Sequence, residues 1–184
     1  MMTMNIKKIK IISVFFILGL TILFHFLYDW WPNVIFSTLF PVNESIWEHM
    51  KLLYFGIIIY GIVEYFIMKK LNLVFNNFLL NLFITSYSSI IIYLVIFLPI
   101  YNIIGENMIV SISLLVVVII LESIISYYIL NYRNLGSIYN IISVVMLIIG
   151  YIGFVYLTYK PIRNYIFYDK LENKYSIDIY VLDE

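Results

Sequence analysis

Five blocks of apolar residues, each long enough to cross a bilayer as a helix, leave this 184-residue chain little other way to fold. They fall at about 11–28, 46–68, 75–101, 108–132 and 138–159, so only short connections and a tail over 160–184 remain. Composition agrees: 64% of the residues are hydrophobic and 12% charged, where a soluble domain has about 45–50% and about 25%. The expectation is one all-α integral membrane domain, a bundle of five transmembrane helices. Cys is absent, which excludes disulfides, thiolate metal sites and cysteine nucleophiles. Lys7, Lys8 and Lys10 precede the first block as they would in a secretory signal, but no small-residue cleavage site follows, and a retained span is expected.

An odd number of spans puts the termini on opposite sides, and the charges then sort. One side collects Lys7, Lys8, Lys10, Lys69, Lys70 and Arg133 without an acid. The other collects Asp29, Glu44, Glu48, Glu106, Asp169, Glu172, Asp178, Asp183 and Glu184 with five basic residues. The positive-inside bias predicts the N-terminus in the cytoplasm and the C-terminus outside, in the cell (plasma) membrane. Trp30, Trp31 and Trp47 all lie in or beside the first outer loop, at headgroup level. That loop, 29–43, is itself apolar and is expected to lie in the interface or fold back as a lid, because backbone at membrane depth must be buried in protein or face water. The tail over 165–182 alternates more like strand than helix around Glu172-Asn173, which predicts a short hairpin or an ordered flap over the outer face.

In so apolar a chain the ionisable residues carry the information. His25 and Asp29 are four apart at the end of the first span, and Glu44 and Glu48 are four apart at the start of the second, followed by His49 and Lys51. Residues four apart on a helix share a face. His25, Asp29, Glu44, Glu48 and His49 are therefore candidate ligands for a divalent metal, zinc or manganese, with Glu44 and Glu48 as candidate catalytic bases. A plainer reading stands beside it: Ser45-Ile46-Trp47-Glu48 matches a capping box, and Glu48 with Lys51 an i,i+3 ion pair.

Two further acids lie inside spans. Glu64 is five residues from Lys69, about 7 Å from the end of its helix, close enough to snorkel outward. Glu122 is about 15 Å deep and needs a partner. Asn77, Asn81, Thr85 and Ser88 form a stripe along the third span that could meet it, as bundle contacts or as an ion path. The net charge is zero and no basic patch stands out, so nucleic acid is not an expected partner. The expected environment is a lipid bilayer, with a homo-oligomer or larger membrane partner left open.

The run His25-Phe26-Leu27-Tyr28-Asp29-Trp30, followed by Phe40-Pro41-Val42-Asn43-Glu44-Ser45-Ile46-Trp47-Glu48-His49-Met50-Lys51, resembles uncharacterised bacterial multi-pass membrane proteins catalogued as domain of unknown function 6512. Phe167-Tyr168-Asp169 and Lys174-Tyr175-Ser176-Ile177 look like that family's C-terminal segment. The resemblance implies that the first outer loop and the start of the second span are the group's signature, and it implies no activity. A looser similarity is to ceramidase-like membrane hydrolases. Those look to hold zinc with three histidines across seven spans, so a site here would need a carboxylate in place of the third imidazole. Three roles follow as expectations: a membrane-embedded hydrolase of lipid-like substrates, a small ion or solute transport subunit using Glu122, or an accessory subunit without chemistry.

Overall fold

The structure, a computed structural model, describes residues 5–175 and 177. Asp183 and Glu184, Ser176 of the resemblance and residues 178–182 of the expected tail pattern, Asp178 among them, lie outside the described residues. Among those described, the elements are α1 (Ile6–Trp30), α2 (Val34–Leu39), α3 (Ile46–Lys70), α4 (Phe78–Ile104), α5 (Met108–Asn131) and α6 (Ser137–Tyr159), then β1 (Tyr168–Asp169) and β2 (Lys174–Tyr175). All the helices except α2 are long and apolar enough to cross a membrane. The protein is an all-α multi-pass membrane protein of five spans.

Local sequence sets the helix ends. Asn5, Asn33, Ser45 and Asn107 each accept a hydrogen bond from a backbone N–H in the first turn of the helix they cap. Asn77 works differently: its backbone is left-handed, and its side chain donates to the carbonyls of Ile129 and Arg133 while accepting from Leu135 N. This one residue ties the start of α4 to the α5–α6 turn. The third span starts at Phe78 rather than near 75 because left-handed Asn72 and Asn77 bracket an irregular connection. It also runs through Pro99 to Ile104 and stops at Gly105, φ 75°. Proline removes one rung of the helical ladder, a loss that membrane helices tolerate.

Helices α1, α3, α4 and α5 form a ring in which each packs on its neighbours, and α5 closes onto α1. Helix α6 lies outside the ring against α4, with α2 across it. Two tyrosines dock α6: the Tyr54 hydroxyl donates to Leu147 O at 2.6 Å and the Tyr87 hydroxyl to Met146 O at 2.5 Å. Both hydroxyls sit over Gly150, where a methyl group would collide with them. Small residues permit this close approach of side chain to helix backbone.

The connection after α1 folds back into the bundle, as its apolar sequence suggested. Phe40, Val42 and Asn43 are buried. The backbone carbonyls freed there are met by Lys51, whose Nζ donates to Ser37 O at 2.8 Å and Phe40 O at 3.2 Å and pairs with Glu48 Oε2 at 2.6 Å. Three ammonium protons thus meet three acceptors, which is what a fully buried lysine requires. After α6, strands β1 and β2 pair antiparallel, Tyr168 opposite Tyr175 and Asp169 opposite Lys174, in a hairpin turning at left-handed Asn173.

Candidate metal centre

At the tryptophan end of the bundle, α1 delivers His25, the last residue before the Ser45 cap delivers Glu44, and the first turn of α3 delivers His49. Their ligand atoms converge. His49 Nε2 lies 3.4 Å from Glu44 Oε2 and 3.4 Å from His25 Nε2, and His25 Nε2 lies 3.7 Å from Glu44 Oε2. Donor atoms around a tetrahedral ion with bonds of about 2.0–2.1 Å sit about 3.3 Å apart, so the triangle has the right size for one.

The orientation of His49 is fixed from behind. Its Nδ1 lies 2.9 Å from Ser45 O, and a carbonyl can only accept, so Nδ1 carries the proton and Nε2 is the atom turned toward the triangle. This is the backbone-carbonyl support common behind metal-bound imidazoles. His25 lacks it: its Nδ1 is buried with no hydrogen-bond partner among the described residues. Its ring is instead held between Phe26 and His49, at centroid distances of 5.0 and 5.1 Å.

Glu44 is held by the far end of the chain. Its backbone N–H donates to Asp169 Oδ2 at 2.9 Å, and the other carboxylate oxygen of Asp169 accepts from Leu171 N and Glu172 N in the hairpin turn. Trp47 N donates to Ile166 O, and the Trp47 ring packs between Phe154 and Phe167. The hydrogen bond from His49, joined by the charge of the two imidazoles, holds the Glu44 carboxyl below its usual range against partial burial, which acts the other way. Glu44 is therefore ionised at neutral pH. Each of the three side chains is roughly a third exposed, so the triangle opens to the surface.

The remaining ligand candidates lie elsewhere. Asp29 is exposed and stays outside the three-residue cluster. Glu48 is buried and both its oxygens are engaged, Oε2 by Lys51 and Val42 N, Oε1 by the Thr158 hydroxyl at 2.8 Å. Only half of the capping box forms. Ser45 Oγ accepts from Glu48 N, but Glu48 does not reach back, and Ser45 N donates to Asn43 Oδ1. Sequence reasoning missed Asp169 as the support of Glu44. Its one local sign was an acid followed two and three residues later by the turn amides it caps.

Inside the ring, Glu64 does not snorkel. It is buried and pairs with Lys10 at 2.6 Å, so Lys10 is a bundle residue rather than a rim charge. Burying both partners together removes the need for either to reach water. Glu122 accepts from Ser88 Oγ at 3.0 Å, while Thr85 bonds back to Asn81 O along its own helix.

A model for the family of unknown function DUF6512 matches residues 1–177. No curated protein and no solved structure matches the chain.

Proposed function

The chain belongs to the family of unknown function DUF6512, and from the site we propose that it carries a divalent-metal centre on the outer face of the membrane, built by His25, Glu44 and His49. One observation carries this: two imidazole Nε2 atoms and an ionised carboxylate oxygen lie within 3.4–3.7 Å of one another. Such a set is repulsive unless a proton or cation sits between its members. Nitrogen and oxygen donors of this kind suit zinc or manganese. Three protein ligands leave a fourth position for water, the pattern of catalytic rather than structural sites.

His25, Glu44 and His49 would hold the ion, which would supply Lewis-acid chemistry and an activated water at neutral pH, the chemistry of hydrolysis. Glu48, fully engaged, is a structural residue in this reading, and Glu44 is the carboxylate left to assist proton transfer. The rim favours a lipid or lipid-linked substrate: Trp30, Trp31, Val34 and Ile35 are all more than half exposed beside the site. Amphipathic rings and bare aliphatic side chains there sit where acyl chains meet headgroups.

Elemental analysis of detergent-purified protein, prepared without a metal-affinity tag, tests the reading. The wild type should hold close to one transition-metal ion per chain, and His49→Ala or Glu44→Gln should lose it while keeping the wild-type circular dichroism. Folded wild type without metal, also after incubation with zinc or manganese, leaves a His–Glu hydrogen-bonded cluster and removes the basis for a hydrolase.

A further inference from the structure

A second polar site lies at the centre of the α1–α3–α4–α5 ring. A cavity of about 20 Å³ is lined by Lys10, Glu64, Asn81, Glu122 and Ser126 together with further serine, threonine, tyrosine and apolar side chains. That is room for one guest of water size, for which about 10–15 Å³ suffices. Four lining atoms, Glu64 Oε1, Asn81 Oδ1, Glu122 Oε1 and Ser126 Oγ, are buried without a hydrogen-bond partner among the described residues. Their residues are 1%, 2%, 2% and 4% exposed. Four unpaired polar atoms around one small cavity are costly unless something fills it, since each carries a desolvation penalty.

The chemistry of those atoms selects the guest. Three of the four are oxygens that accept hydrogen bonds, and the fourth is a hydroxyl that can also accept. Ionised, the groups at the cavity sum to one negative charge, from Glu64, Glu122 and Lys10. A water molecule has two protons, and with the Ser126 hydroxyl donating to the third acceptor it satisfies the oxygens but leaves the charge. A divalent ion over-compensates it. One small monovalent cation satisfies every oxygen and neutralises the cavity, and an all-oxygen set is what hard cations prefer.

We propose that this cavity is a buried sodium site, with Glu64, Asn81, Glu122 and Ser126 as oxygen ligands and the Lys10–Glu64 pair holding the site's charge at minus one. The site is independent of the metal centre at the tryptophan end. Seated between four spans, with Glu122 about 13 Å from the end of α5, it is placed where membrane proteins bind coupling ions.

Equilibrium binding of radioactive sodium to detergent-purified protein at pH 8 is the test. One sodium ion should bind per chain, displaced by unlabelled sodium and lithium but not by equal potassium. Glu122→Gln should abolish binding and Ser126→Ala should weaken it about tenfold, about 1.4 kcal/mol. His49→Ala should leave it unchanged, which separates this site from the metal centre. Should Glu122→Gln not fold, Ser126→Ala and Asn81→Leu decide. Absence of sodium binding by folded wild type overturns the proposal, as does full binding by folded Glu122→Gln. A protonated-carboxyl infrared band lost in Glu122→Gln, without sodium binding, assigns the cavity to a proton and overturns it equally.

Discussion

Lys51 shows how a single residue can make an irregular loop tolerable at membrane depth. Its fully buried ammonium serves two backbone carbonyls from the returning connection and the carboxylate of Glu48, whose other oxygen reaches Thr158 on α6. Removing one partner of a buried pair leaves the other charge uncompensated, a loss of about 3–5 kcal/mol. Lys51→Met or Glu48→Gln alone should therefore lower the thermal midpoint in detergent by far more than the double substitution exceeds either single one. Additive effects would show that the two do not act as a unit.

Acid should empty the proposed metal centre, and each ligand contributes with its own sign. Glu44, with its pKa held below the usual range, stays ionised as pH falls through 7 to 5, and its contribution is lost only below the ordinary carboxylate value of about 4.3. Each proton that an imidazole takes up occupies a ligand atom. Bound metal, followed by equilibrium dialysis, should fall with pH while Glu44 is still ionised, above the ordinary carboxylate value of about 4.3. A midpoint below about 4 would mean that carboxylates alone hold the ion.

Among the elements, the C-terminal hairpin has a function out of proportion to its two-residue strands. Through Asp169 it fixes the backbone of Glu44, and through Ile166 and Phe167 it fixes Trp47. Groups that orient a ligand from outside the coordination sphere are typically worth about 10–100-fold in metal affinity. Asp169→Ala should weaken zinc binding by that factor in competition with a chelator while the five spans stay folded. Unchanged affinity would make the hairpin a cover and nothing more. Alternation around Glu172-Asn173 predicts a hairpin or an ordered flap, and the pairing of β1 with β2 makes it a hairpin, but the contact of Asp169 with Glu44, 125 residues away, has no periodic signature in the sequence.

Over the whole molecule, the charge bias predicts the lysine end in the cytoplasm and the hairpin outside. Because the chain has no cysteine, single substitutions report this directly. In intact cells, an impermeant thiol reagent should label Glu172→Cys and spare Lys70→Cys, and the opposite pattern would reverse the topology. The proposed metal centre would then face the cytoplasm.

The sequence by itself determined the class, the five spans and the apolar loop that returns to the bundle, because these follow from local composition: a run of apolar residues has no lower-energy state than a helix in lipid. It also marked His25, Glu44 and His49, though only within a larger set that included Asp29 and Glu48. Two carboxylates four residues apart look alike in sequence, yet Glu44 stands before the Ser45 cap and Glu48 inside α3. Only the crossing of α1 and α3 turned Glu44 toward the imidazoles while Lys51 drew Glu48 into the core. The same holds in the ring. Glu64 and Lys10 each read as end-of-helix charges, and their pairing beside Glu122 exists because four helices bring residues 54 and more positions apart to one cavity. Spacing along a chain specifies which side chains share a face of one helix, whereas which faces meet is decided by packing.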